Sequence, residues 1–268
     1  MRVGVITSNN ERGSSILRAH NFIKYWPDAV LCELSKIHKY DVLYIQKVHL
    51  PRIHKMFRGA IIFDLCDLAW TQGERQEMFE AADAITVSAM PLKQVFLRES
   101  HGKPVYHLPD RHDLSQFKLS KKHEGAAEWV IWYGSSLYFK IPDEYSKYIR
   151  DLGLKFKVIS DKPYPDCDCS LLWDWNTIYS EIVACDITIN PPFSPLKVDI
   201  MPTNKSSMSM LLNVPVAHSK EELEKLATTW GNERNVHINR EEFDIRLSVR
   251  RLNSICGKYM RLAKQTRR

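Results

Sequence analysis

No hydrophobic run in the 268-residue chain approaches the roughly 20 apolar residues that a membrane-spanning helix needs. The opening MRVGVITSNNERGSS lacks the long apolar core of a signal peptide and reads as a first β-strand and turn. Secretion and membrane insertion are therefore not expected, and a cytoplasmic location is. Six cysteines (32, 66, 167, 169, 185 and 256) are few for this length and sit mostly in apolar segments, which suits reduced thiols and excludes a disulfide framework. Cys167 and Cys169 have no matching Cys or His pair for structural zinc. Ten glycines and thirteen prolines leave little room for low-complexity sequence, and no internal repeat is found. G-x-S-x-G and H-E-x-x-H are absent, so hydrolase chemistry has no sequence support, and neither a GxGxxG nor a Walker motif follows the first strand.

Acidic residues are missing from one region in particular. After Asp244 the sequence carries eight Lys or Arg (246, 250, 251, 258, 261, 264, 267 and 268) and no Asp or Glu. The formal net charge is +6, so the basicity belongs to this tail and the remainder is slightly acidic. A cationic tail suits phosphate-rich partners such as DNA or an anionic membrane surface; it equally suits a solvated helix face.

What fills the rest is a strict alternation. Strands are expected at Val3–Ser8, Ala29–Leu34, Asp41–Gln46, Ala60–Cys66, Ala84–Ser88 and Val105–Leu108. Helices are expected near Ser15–Tyr25, Pro51–Phe57, Glu74–Ala82 and Leu92–Glu99. Residues 118–128 are polar and read as a linker between a domain at 1–117 and one at 129–239. There the alternation restarts with strands at Trp129–Tyr133, Lys155–Ser160, Leu171–Trp173, Ile187–Asn190 and Val214–Ala217. Its helices are expected at Pro142–Leu152, Asn176–Ala184, Asn204–Leu212 and Glu221–Trp230. Within 240–268, Ile245, Val249, Leu252, Cys256, Tyr259 and Ala263 recur at helical spacing and predict a long closing helix. The fold class is α/β: two doubly wound, Rossmann-like parallel sheets and a long C-terminal helix.

Two such units in tandem, with the motifs they carry, resemble the GT-B glycosyltransferases, and in particular the family 4 type. Asp186–Pro191, the loop to Thr203, the Asn204–Lys205–Ser206 helix start and Pro215–Val216–Ala217–His218–Ser219 resemble that type's donor-binding region. YDVLYIQKV (40–48), IIFDLCDLAW (61–70), ADAITVSAMPLKQVF (82–96) and HLPDRHDLSQF (107–117) resemble its acceptor-side domain. The family's ribose-binding glutamate is Met208 here, and its Arg…Lys pair is reduced to Lys140. The resemblance implies transfer of a sugar from a nucleotide-sugar donor to a hydroxyl of a glycan, lipid carrier, protein or hydroxymethylated DNA base, with no metal required. The rival reading is a non-catalytic nucleic-acid- or nucleotide-binding protein on the same scaffold.

Each candidate residue has a chemical reason. A nucleotide diphosphate needs N–H donors and cations, so Thr203, Asn204, Lys205 and Ser206 at a helix opening are assigned to the donor, as are Gly134, Ser135 and Lys140 after the seventh strand. Arg12, Gly13, Ser14 and Arg18 follow the first strand, where open α/β sheets place ligands, and are assigned to acceptor or phosphate contact. A base for the acceptor hydroxyl is sought at the carboxyl edge of the first sheet: Asp67 first, Asp64 second, with His49 and His107 as rivals. Asp166–Cys167–Asp168 spells a D-x-D triplet but reads as a surface turn.

Overall fold

The computed structural model describes residues 1–8, 13–68, 70–192 and 204–266, which fall into two compact units. Among these residues, unit 1 holds those up to Leu114 and those from Glu241 onward; unit 2 runs from Ser115 to Arg240.

Unit 1 follows the order β1 (Val3–Thr7), α1 (Gly13–Ser15), a π-helical turn (Ile16–His20), α2 (Asn21–Tyr25), β2 (Ala29–Leu31), a 3₁₀ turn (Leu34–Lys39), β3 (Val42–Gln46), α3 (Ile53–Met56), β4 (Ala60–Leu65), α4 (Gln72–Ala81), β5 (Ala84–Val87), α5 (Met90–Glu99) and β6 (Val105–His107). Its six strands are all parallel, in the order β2-β1-β3-β4-β5-β6. β3 and β4 are buried at every position, as expected of strands covered on both faces. Local chemistry sets the helix starts: Thr71 caps α4 in a reciprocal box with Glu74, and proline sits at the first turn of α5.

Unit 2 follows with β7 (Trp129–Gly134), a 3₁₀ turn (Ser136–Tyr138), α6 (Lys140–Asp151), β8 (Lys155–Ser160), β9 (Cys169–Leu172), α7 (Ile178–Val183), β10 (Ile187–Ile189), α8 (Asn204–Leu211), β11 (Val216–Ala217) and α9 (Lys220–Thr228). Its parallel sheet runs β11-β10-β7-β8-β9. Residues 118–128 belong to this unit. Lys121 donates its N–H to Leu212 and pairs with Asp186 at 3.0 Å, and His123 hydrogen-bonds the Asn213 carbonyl at 2.7 Å.

The chain ends in α10 (Ile245–Thr266), part of unit 1. Its apolar stripe of Ile245, Val249, Leu252, Ile255, Cys256, Tyr259 and Ala263 packs in one cluster with Val3, Val5, Phe22, Tyr44 and Ile62. Phe63, Phe79 and Phe96 stack edge-on within the opposite face's core. The expected strand 29–34 is shorter than predicted because Leu34–Lys39 turns into a 3₁₀ helix, and the helix expected at 15–25 is interrupted by a π turn. All six cysteines are unpaired; burial pushes the Cys66 and Cys185 thiols up to about 12. Among the described residues no helix is long and apolar enough to cross a membrane.

Candidate functional site

In a doubly wound sheet the crevice for a ligand lies where neighbouring strands send the chain in opposite directions. In unit 2 that point falls between β7 and β10. β7 ends in Gly134, and Asn190 follows β10. α8 opens over the same edge, because Asn190 donates from Nδ2 to Ser206 Oγ at 2.9 Å. A Cβ built on Gly134 would lie 2.4 Å from Lys205 Nζ. The glycine is what lets the amine settle over the strand end.

Lys205 is an unusual lysine. Its Nζ lies 5.2 Å from the Trp132 ring centroid and 5.9 Å from that of Tyr138, with no carboxylate paired to it among the described residues. Burial without a counter-ion pulls its pKa down to about 8. The backbone beneath it is fixed: Tyr133 donates from its hydroxyl to the Lys205 carbonyl at 2.7 Å and meets Ser209 Oγ at 2.8 Å, which in turn meets Thr188 Oγ1 at 2.8 Å. A cation half-desolvated at a helix N-terminus, with two aromatic faces and no paired carboxylate among the described residues, has the chemistry to accept an anion.

The other donor-side candidates are placed as follows. Ser135 caps the 3₁₀ turn, accepting from Leu137 N–H at 3.4 Å, and Asp161 accepts from both the N–H and the hydroxyl of Ser136. Hydrogen bonds from Ser136 hold the Asp161 carboxyl below its usual range. Lys140, expected to meet phosphate, is a surface residue paired with Glu144 at 3.7 Å one turn along α6, its side chain 70% exposed. Thr203 lies outside the described residues. The D-x-D triplet is structural: Asp166 binds Ser146 and Arg150, while Asp168 accepts the Phe156 N–H. No group of three or more metal-ligating side chains occurs among the described residues. Sequence reading missed Trp173 and Trp175. They stand just past β9 with centroids 5.0 Å apart, and Trp173 lies 6.1 Å from Tyr133. The only signal was their closeness in sequence.

In unit 1 the equivalent point lies between β1 and β3. Gln46, at the end of β3, is fully buried; its Oε1 accepts from Thr7 and, at 3.5 Å, from Ser15, while its Nε2 has no partner among the described residues. The next residue, Lys47, holds a left-handed φ of 52° and pairs with Asp67 just beyond β4. Such strain in a non-glycine residue marks a position worth functional attention. Gly13 and Ser14 open the helical segment beside it, half-buried; Arg12 lies outside the described residues.

Two candidates need correction here. Arg18, expected to reach a phosphate, is completely buried in the π turn. It binds Asp64 through Nε and Nη2 at 2.8 and 2.6 Å, and Asp110 and the Leu108 carbonyl through Nη1. Burial alone would lower its pKa, but Asp64 and Asp110 drive it well above the ordinary arginine value. Asp64, the second candidate base, also accepts from Thr86 and is wholly buried. Both residues are structural, because burial removes them from any ligand. Burial raises the Asp110 carboxyl despite Arg18. Asp67 remains at the edge, one-third exposed. His49 pairs with Glu77 at 3.1 Å. His107 meets the Ser88 carbonyl at 3.2 Å, its pKa lowered by burial and by Arg251, Arg18 and Arg111.

No family model matches the chain, and no curated protein matches its sequence. Solved structures do match. Anabaena HepE, determined in complex with UDP, superposes with a TM-score of 0.63 at 10% identity over 96% of this chain and 100% of that one. The DNA-modifying enzyme β-glucosyltransferase, determined with and without uridine diphosphoglucose, gives 0.59 at 13% identity over 99% of both chains. The catalytic domain of starch synthase IV from Arabidopsis thaliana, bound to ADP and acarbose, gives 0.52 at 10% identity over 82% of this chain and 73% of that one. At these identities the likeness establishes the fold: two doubly wound, Rossmann-like units of the GT-B class.

Proposed function

We propose that the chain is a glycosyltransferase that moves a sugar from a nucleotide-sugar donor to a hydroxyl acceptor. The observation that carries this reading is Lys205: an amine at the opening of α8, beside the glycine that ends β7, with no carboxylate paired to it among the described residues. A nucleoside diphosphate supplies the missing charge. As the bond from sugar to phosphate breaks, negative charge builds on the departing diphosphate, and a fixed cation with helix N–H groups stabilises it. Asn204 and Ser206 stand on either side of Lys205.

In unit 1, Asp67 is the base we assign to the acceptor hydroxyl, oriented by Lys47. The acceptor is a hydroxyl on a glycan, lipid carrier, protein or modified DNA base. A family 4-like relationship rests on the motifs at 204–206 and 215–219. The six unpaired thiols suit a reducing, cytoplasmic compartment.

A thermal-shift panel of UDP, ADP, GDP and UDP-glucose, with and without magnesium, tests the donor site. UDP and ADP lead the panel because similar structures hold them. One nucleotide at 100 times its Kd should add about 2.7 kcal/mol of stability, and Lys205→Ala should abolish the shift. Absence of any nucleotide response would favour the non-catalytic reading. A response that requires magnesium would remove the claim that Lys205 suffices.

A further inference from the structure

We propose that the exposed face of α10 docks on the phosphate backbone of duplex DNA. The claim stands on unit 1 alone, whether or not unit 2 binds a nucleotide.

α10 carries six cations, Arg246, Arg250, Arg251, Lys258, Arg261 and Lys264, and no acid. At 100° per residue they fall within an arc of about 140°, opposite the buried stripe, and extend over about 27 Å of helix. Arg246 pairs with Asp244, and Lys264 reaches Asp41 only at 3.8 Å. Arg250, Arg251 and Arg261 are exposed and have no ion pair among the described residues. Only Arg246 lies in the first turn, where the helix dipole disfavours cations, and Asp244 offsets it there.

A second element adds to this face. Arg111, after β6, donates from Nε to the Glu242 carbonyl at 2.8 Å and from Nη1 to Ser248 Oγ at 2.9 Å. Ser248 is itself fixed by donating to the Pro109 carbonyl at 3.0 Å. Arg111 sits close enough to Arg251 for mutual repulsion, which with burial lowers its pKa, while the nearby carboxylates of Asp244 and Glu242 act in the opposite direction. Bringing two guanidinium groups close together is unfavourable in the free protein. A polyanion relieves it.

The chemistry of the face selects the polyanion. A helix that lies on a membrane inserts an apolar side, but here that side is packed into the core and Leu262 is the one large apolar side chain of α10 that is exposed. Single-stranded nucleic acid is held by cations interleaved with stacking aromatics, and the aromatic of α10, Tyr259, is buried. A broad face of cations, two-thirds of them arginine, running along the helix matches a row of phosphates.

The test is fluorescence anisotropy with a labelled 20-base-pair duplex and the full chain, titrated with KCl. Duplex binding should weaken steeply with salt. The Arg250→Gln/Arg251→Gln/Arg261→Gln variant should bind at least tenfold less tightly, with the log–log salt slope reduced by about 2 to 3, near 0.9 per lost phosphate contact. These side chains are exposed, so the fold should persist, which circular dichroism checks. The charge-matched Lys147→Gln/Lys162→Gln/Lys225→Gln variant, on the surface of unit 2, should bind as the parent does. The proposal is overturned by absence of duplex binding at 50 mM salt, or by equal losses in both variants. Tighter binding to single strands, or to vesicles of 30% phosphatidylserine, overturns it too. Nucleotide shifts measured on the same variants keep the donor site separate from this result.

Discussion

Replacing Lys205 with methionine should make the protein more stable and blind to nucleotides. The native amine is protonated at pH 7 but sits half-buried against Trp132 and Tyr138 with no counter-ion among the described residues, and its pKa falls from 10.5 to about 8. A depression of that size corresponds to about 3 kcal/mol of lost stability. Solvent reaching the amine, and two ring faces each contributing about 0.5–1 kcal/mol, reduce the net penalty to about 1–2 kcal/mol. Methionine has a similar shape and no charge, so Lys205→Met should gain that amount at pH 7. The sign of the pH dependence follows from linkage. Below pH 8 the lysine is charged in both folded and unfolded chains and the penalty is complete. Between pH 8 and 10.5 the folded chain has released the proton while the unfolded chain still holds it, so parental stability climbs toward that of the variant. Urea unfolding of both proteins at pH 7, 9 and 10.5 reads the gap directly. A variant less stable than its parent at pH 7, or a gap independent of pH, would show that Lys205 is already neutralised within the fold and would refute the argument for an anion site.

Gly134→Ala places a methyl 2.4 Å from Lys205 Nζ and 3.1 Å from the Trp132 ring. It should displace the amine and weaken nucleotide binding at least tenfold by calorimetry, at a stability cost of about 1–2 kcal/mol. Arg18→Met leaves Asp64 and Asp110 buried and facing one another. Chemical denaturation should report a loss of about 3–5 kcal/mol at pH 7, smaller at pH 5 where a carboxyl can take up a proton. A loss below 1 kcal/mol would contradict the structural role given to the triad. Asp67→Asn should lower kcat by about 10²–10⁴-fold in a sugar-transfer assay while Tm changes little, because its pair with Lys47 is only partly buried.

Fold class was readable from the chain because parallel strands covered on both faces must be continuously apolar. YDVLYIQ and AIIFDL announce themselves, and the intervening amphipathic segments complete the pattern. The Asn204–Lys205–Ser206 opening was also readable, since helix starts and phosphate sites draw on the same residue types. The function of individual charges was not. Arg18 and Arg12 sit in the same polar neighbourhood of the sequence, and nothing local says that a π turn drives the first into the core. Asp64 and Asp67 are three residues apart at one strand end, yet one is sealed by Arg18 and Thr86 while the other reaches the edge. Lys140 and Lys205 both open helices, but only the second meets a glycine and two rings. These distinctions depend on partners 22 to 92 positions away, including Thr86, Asp110 and Gly134.

The placement of α10 bears on how the chain matures. Ile245, Leu252 and Cys256 complete a core begun by Val3, Val5 and Phe22, more than 200 residues earlier in synthesis. When unit 1's last strand leaves the ribosome, the face that α10 will cover is still bare. The whole of unit 2 is made before the cover arrives. Unit 2 can therefore reach its native state first, although it is encoded second. Until residue 245 emerges, the first sheet presents an apolar surface to the cell, which makes the nascent chain a natural client for a chaperone.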